Sequence, residues 1–390
     1  IIIANTGGTL STTTAGTSNL RLGVNAGNSI ASGGNYNVVL GDEAGTALTT
    51  GDGNVAIGFN ALANEDAHGL NVAVGNSALY AQNAGANAYN TAVGYSAGTA
   101  ITTGVSNTLI GGLAGDALTD ADNNVAVGAQ ALTVDTLGSK SVAIGDSALK
   151  VQNFTTATNT YNTAVGDSAG EAVTTGTHNT LIGALAGDAL TDADFNVALG
   201  HNSLSIDTLG SKSTAIGRSA LATQNFTTAT DTFNTAVGFN AGVNVTTGVQ
   251  NTLIGGLTGD ALTDADYNVA IGYAALGSDT LGSRSVAIGR SALEVQNFTT
   301  ATNTYNTAIG YDAGGAVTTG ISNTLIGGEA GNAITTGQKN TMLGDRAGDA
   351  TTTGGGNVII GTTCDASAGG TNNSIVMGEA AAGVGANNFT

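Results

Sequence analysis

One short pattern recurs along almost the whole chain. A polar residue is followed by a β-branched residue, two apolar residues and a glycine, as in Asn162-Thr163-Ala164-Val165-Gly166 and Asn179-Thr180-Leu181-Ile182-Gly183. The closing glycine occurs 21 times between Gly23 and Gly378, mostly at intervals of 17 residues and otherwise at 18, 19 or 21. Number that glycine 0. Position −1 is then apolar in all 21 copies, and position −3 is Val, Ile or Thr in every copy but the first, where it is Leu20. Branched residues at alternate positions mark a strand with one buried face, and here they place −1 and −3 inside. Position +3 is Ala in 18 copies and Ser203, Thr258 or Cys364 in the others, which predicts a tight corner or close packing.

Position −4 is Asn in 17 copies and Ser in four (Ser141, Ser213, Ser285, Ser374). Stacked coils bring such residues into register, where their amides can hydrogen-bond along the axis as a ladder. Thr-Thr-Gly segments, such as Thr174-Thr175-Gly176 and Thr318-Thr319-Gly320, supply the glycine that a tight reversal needs. Seventeen residues are too few for a helix and two strands, and fit two short strands and two turns. The pattern predicts an all-β parallel β-solenoid, or β-roll, of about 21 coils. At a spacing of ~4.8 Å the coils would form a rod on the order of 100 Å long. Residues 1–18 are expected to be a cap or a connection to an upstream part, 19–381 a continuous solenoid, and 382–390 a C-terminal connection.

A longer period lies above the coil. Gly94, Gly166, Gly238 and Gly310 are each 72 residues apart, so four coils make one super-repeat. Its extra four residues fall in the segment from Gln152 to Tyr161 and in near-copies at 224–233 and 296–305. A loop that lengthens without disturbing the pattern predicts a surface bulge.

Position −2 should face the other side of the strand, yet it is apolar in 20 of 21 copies, Arg21 being the exception. A strand apolar on both faces is buried on both, and a stripe of that length exceeds what a lone soluble chain exposes. Leu109, Leu181, Leu253, Leu325, Met342 and Ile359 are therefore expected to form a subunit interface with further copies of the chain.

Composition narrows the partners. There are 61 Gly, no Pro, no Trp and 17 Phe plus Tyr among 390 residues, so any core is thin and built from small side chains. The net charge of −19 disfavours nucleic acid and anionic membrane. No apolar run is long enough to span a bilayer. The lone Cys364 excludes a disulfide framework. The chain opens at Ile1 with neither an initiator Met nor a signal peptide, as expected of a processed chain or a fragment.

Ser141-Val142-Ala143-Ile144-Gly145 and Ser285-Val286-Ala287-Ile288-Gly289 resemble the head repeats of YadA-like trimeric autotransporter adhesins. The wording from Asn306 to Gly327 resembles, more closely, repeats of phage tail fibres and other virion surface fibres. The resemblance implies a homotrimer of left-handed parallel β-rolls that binds host surfaces, outside the cell or on a virion. Coils of 17 residues, with no heptad stalk or anchor barrel in the chain, favour the fibre or mean that the anchoring parts are missing, which leaves an autotransporter head or other extracellular filament as the alternative. The expected role is a non-catalytic spacer and adhesin whose partners are its own copies and a host-surface glycan or protein. An ice-binding solenoid is a remote alternative, because the Thr-Thr-Gly pairs are missing from many coils.

Candidate chemistry is sparse. No nucleophile set, phosphate loop or zinc-protease motif is present, and no cofactor is expected. His68, His178 and His201 occupy different positions in the coil and are read as exposed polar residues. Asp120 with Asp122, Asp192 with Asp194, and Asp264 with Asp266 could offer oxygen ligands to Ca²⁺. A base follows each pair in the next coil (Lys140, Lys212, Arg284), which makes charge pairing the simpler expectation. Twelve aromatic residues flank the pattern, seven at position −5, Tyr161, Phe233 and Tyr305 among them, and five at +1. Phe154, Phe226 and Phe298 sit in the bulges and are expected to be exposed contact residues.

Overall fold

The computed structural model describes residues 15–387, 389 and 390. It consists of two compact units, one ending at Asp192 and the other beginning at Ala193. Residues 1–14, most of the expected N-terminal cap, lie outside the described residues. The fold is an all-β parallel solenoid of about 21 turns, ten in the first unit and eleven in the second. Among the described residues no helix is long and apolar enough to cross a membrane.

Each turn carries one three-residue strand, at positions −3 to −1. Within a unit, successive strands pair in parallel and residue for residue: Thr91–Val93 with Thr108–Ile110, Thr108–Ile110 with Val125–Val127, Thr252–Ile254 with Val269–Ile271. Among the described residues a second, two-residue strand exists only at the bulges, where Gly138–Ser139 pairs with Thr158–Asn159, Gly210–Ser211 with Thr230–Asp231, and Gly282–Ser283 with Thr302–Asn303. Turns with left-handed residues make up the rest of each coil. Residues 382–390, expected to be a connection, return to the last coil through the bridges Asp365 to Ala382 and Ile375 to Phe389.

The closing glycine is required twice over. Its φ lies near +140°, as at Gly111 and Gly128, where side chains are strained. A Cβ there would also run into the main-chain carbonyl of the equivalent glycine one coil on. This close approach keeps every coil of a unit in the same register.

The strand faces are the reverse of the sequence expectation. Position −2 points into the coil: Leu109, Leu181, Leu253, Leu325, Met342 and Ile359 are wholly buried within their own unit. They are core residues and cannot form the expected subunit interface. Positions −3 and −1 point outward. The cause is space. The interior is so narrow that Ala fills −2 and +3 in most coils, while the branched side chains stand on the outer face, where they suit a strand without needing depth.

Leucine enters position −2 only where glycine makes room. A Cβ on either Gly98 or Gly115 would collide with the Leu109 side chain, and Gly170 and Gly187 stand in the same relation to Leu181. In those coils a large apolar residue, such as Ile101 or Leu118, lies three residues after the glycine. The next two coils of the super-repeat invert the arrangement. Leu132 and Leu149 replace the glycine and fill the interior, in left-handed conformations (φ 56° and 49°). Three residues after them come the buried polar residues Asp135 and Gln152.

The Asn ladder forms, and it is richer than amide-to-amide bonding. The main-chain N–H of Asn124 donates to Asn107 Oδ1 (2.9 Å), and that of Asn107 to Asn90 Oδ1 (2.8 Å). Most of the amide nitrogens donate to a turn carbonyl 14 residues on, as from Asn107 to Ala121 (2.8 Å) and from Asn124 to Gly138 (2.9 Å). The side chain thus satisfies main-chain groups that would otherwise be buried without partners.

Candidate binding surface

Three features of the two units could engage a partner. The first is the outer face of the strands. Position −1 is half-exposed or exposed along both units, with Ile144 at 38%, Leu199 at 40% and Leu343 at 46% exposure. With the Val and Thr of position −3 it forms a largely apolar, β-branched stripe.

The second is a row at position −5, on the strand's polar side. Lys140, Tyr161 and His178 follow one another here in the first unit, and Lys212, Phe233, Gln250, Tyr267, Arg284 and Tyr305 in the second. All have φ between about 50° and 65°, which aims their side chains alike from coil to coil. Lys140 Nζ lies 5.2 Å from the Tyr161 ring centroid and 3.2 Å from its hydroxyl, and the Tyr161 ring is 5.1 Å from that of His178. Lys212 stands over Phe233 at 5.2 Å, and Arg284 over Tyr267 at 4.6 Å. Tyr161, Phe233 and Tyr305 remain about half-exposed, at 47%, 52% and 57%. Position +1 repeats the motif in the second unit, with Arg218 over Phe239 and Arg290 over Tyr311. Cations stacked on half-exposed rings leave part of the ring surface available to a ligand.

Sequence had placed the bases opposite the preceding Asp pairs, and the structure places them otherwise. Lys212 pairs with Asp231 of the following bulge (2.5 Å), and Arg284 Nε donates to Asn303 Oδ1 (3.0 Å). The Asp pairs serve the solenoid itself. Asp120, Asp192 and Asp264 accept from Thr103, Thr175 and Thr247, and Asp122 and Asp266 accept from the main-chain N–H of Val105 and Val249. The Asp194 N–H donates to Ser211 Oγ. These bonds join consecutive coils and engage one oxygen of each of the five carboxylates.

Phe154, Phe226 and Phe298 are buried at 7% exposure, contrary to expectation. The bulge is tied down at this residue. The Phe154 N–H donates to Asp135 Oδ1 (3.1 Å), while its carbonyl accepts from Leu137 N–H (3.2 Å) and Thr136 Oγ1 (2.9 Å). The exposed tip is Thr155-Thr156-Ala157.

The third feature was missed in the sequence. Glu65, Asp66 and His68 place one ligand atom each within 4.8 Å of one another. Glu65 is fully buried, and burial pushes its carboxyl up despite the N–H groups of His68 and Ala84. Its counterpart 70 residues on, Asp135, is also held above the ordinary carboxylate value by burial, opposed by bonds from Gln152, Phe154 and Gly138. The signal was available: the third residue after the acid is His68 in one copy and Gly138, Gly210 or Gly282 in the others.

Compared with known proteins, the chain matches no family model and no curated protein.

Proposed function

We propose that the chain is a non-catalytic module of a surface fibre that assembles as a homotrimer, most closely of the phage tail-fibre kind, and acts as both rigid spacer and adhesin. The observation that carries this reading is the outward apolar stripe at positions −1 and −3, which runs through every strand of both units. Such a stripe is larger than a soluble monomer leaves open, and copies of the same repeat present a matching surface at the same spacing. The interface therefore lies on the opposite face of the strand from the one the leucines suggested. The cation–aromatic rows at positions −5 and +1 flank that stripe and remain accessible for a host-surface glycan or protein. The main-chain bonds between coils support the spacer role.

Sedimentation of the purified chain tests the assembly. A single species at three times the chain mass is the expected result, and a monodisperse monomer would sink it. Ile144→Asp with Ile254→Asp should shift the trimer toward monomer if the outer face is the interface.

A further inference from the structure

The first super-repeat differs from the later copies around its buried acid, and those copies act as internal controls. In the second copy, Asp135 has a full set of partners: Gly138 N–H (3.0 Å), Phe154 N–H (3.1 Å) and the amide of Gln152 (2.6 Å). The copies around Asp207 and Asp279 repeat all three bonds. In the first copy the acid is Glu65, one methylene longer, and Gln82 has turned away, donating to the Thr102 carbonyl (3.2 Å). Glu65 keeps two long main-chain bonds, from His68 (3.2 Å) and Ala84 (3.5 Å).

The space given up by Gln82 is matched by a change three residues after the acid. Later copies need glycine there, because a Cβ on Gly138, Gly210 or Gly282 would strike the carboxylate. The first copy carries His68, with Nδ1 3.8 Å from Glu65 Oε1. That nitrogen is buried and has no hydrogen-bond partner. Asp66, exposed beside them, completes the group, where the later copies have Thr136, Thr208 and Thr280. The fully buried Asn71, in the position of Ser141, also has an amide nitrogen without a partner, so the bonds that Gln152 makes to the acid and to Ser141 in the later copy have no equivalent here.

We propose that Glu65, Asp66 and His68 bind one divalent transition-metal ion of the zinc class. Two carboxylates and an imidazole are a borderline donor set, which suits Zn²⁺ or Co²⁺ better than Ca²⁺. The ligand atoms of a tetrahedral zinc site stand about 3.4 Å apart, given bonds of about 2.0–2.1 Å, so the 3.8 Å between Nδ1 and Oε1 needs only a small closure. The N–H groups of His68 and Ala84 orient the Glu65 carboxylate from behind, as outer partners of metal ligands do. Three protein ligands leave a fourth position for water.

The test uses the full chain, stripped of metal with a chelator and titrated with Co²⁺, then Zn²⁺. One Co²⁺ per chain is expected, with a visible ligand-field band that Zn²⁺ abolishes. His68→Gln and Asp66→Asn should each weaken uptake at least tenfold. Asp135→Asn and His178→Gln should leave it unchanged. Neither His68 nor Asp66 is buried, so these variants decide the matter even if Glu65→Gln fails to fold, and circular dichroism verifies their fold. No uptake, uptake indifferent to His68→Gln, or equal uptake of Ca²⁺ would each overturn the proposal.

Discussion

Around Leu109 the interior is dry: Gly98 and Gly115 open space that the leucine, Ile101 and Leu118 fill. Around Asp135, two coils on, the same cross-section is polar. Leu132 and Leu149 fill the glycine's place, and Asp135, Gln152, Ser141, Thr160 and Asn162 form a closed network of hydrogen bonds. The difference teaches where each kind of interior belongs. The polar pair occurs where the following turn gains four residues, and Asp135 binds the main chain of that bulge at Phe154 as well as that of its own turn at Gly138. Polar atoms replace apolar ones where backbone must be anchored rather than merely covered.

Four experiments sharpen or break this contrast. The largest effect should come from Leu109→Ala, which leaves a cavity between two glycines that cannot collapse into it. A loss of about 2–5 kcal/mol is expected, read from denaturant unfolding. Gln152→Ala should cost about 1–3 kcal/mol by leaving Asp135 Oδ2 and the Asn162 amide without their partner, with hydrogen exchange rising first in the bulge. If its effect spreads evenly over the chain, the anchoring role is wrong.

Acidity should separate the two interiors next. Burial raises the Asp135 carboxyl above its ordinary value in the folded chain. Its stabilising contribution is therefore complete below that ordinary value and is lost as pH rises through the raised one. Asp365, pushed up to about 6 by burial and by Asp349, acts in the same direction. Unfolding at pH 4 and pH 7 should thus show part of the stability fading on the way up, and Asp135→Asn should remove its share. The smallest effect belongs to the surface: Lys212→Ala, which breaks the exposed pair with Asp231, should cost less than about 1 kcal/mol in the same unfolding measurement.

The repeat, its register and the Asn ladder were legible because each rests on a residue whose chemistry admits few uses. Gly111 needs its φ, and Asn107 needs two main-chain partners on the following coil and the side chain of Asn90 on the preceding one. Sidedness was not legible. Ile110 and Leu109 are both apolar strand residues, and only the width of the coil decides which one turns inward. Leucine every 72 residues looked like an interface, since the glycines that accommodate it lie some distance along the chain, at 98 and 115. The buried Asp135 escaped notice for a related reason: an acid in a loop is ordinarily solvated. Phe154 was misplaced with it, because the bonds that pull the bulge inward end on that acid.

The Asn ladder also has a sense. Asn107 Oδ1 is occupied only once Asn124 of the following coil has arrived, and its amide nitrogen, which reaches back to Asn90 Oδ1 (3.2 Å), gains its main-chain partner only once that coil's turn has closed at Ala121. To the coil before it Asn107 delivers only its own two bonds, both to Asn90 Oδ1. Each turn therefore stands incomplete until its C-terminal neighbour is laid down, so folding that follows the order of synthesis always leaves one open end, facing the part not yet made. Ser374 closes that end differently, its hydroxyl donating to the carbonyl of Gly385 in the returning segment (2.8 Å). Ser141, Ser213 and Ser285 hold the same position within the units, and there the hydroxyl is taken up by Thr160, Thr232 or Thr304 of the arriving bulge.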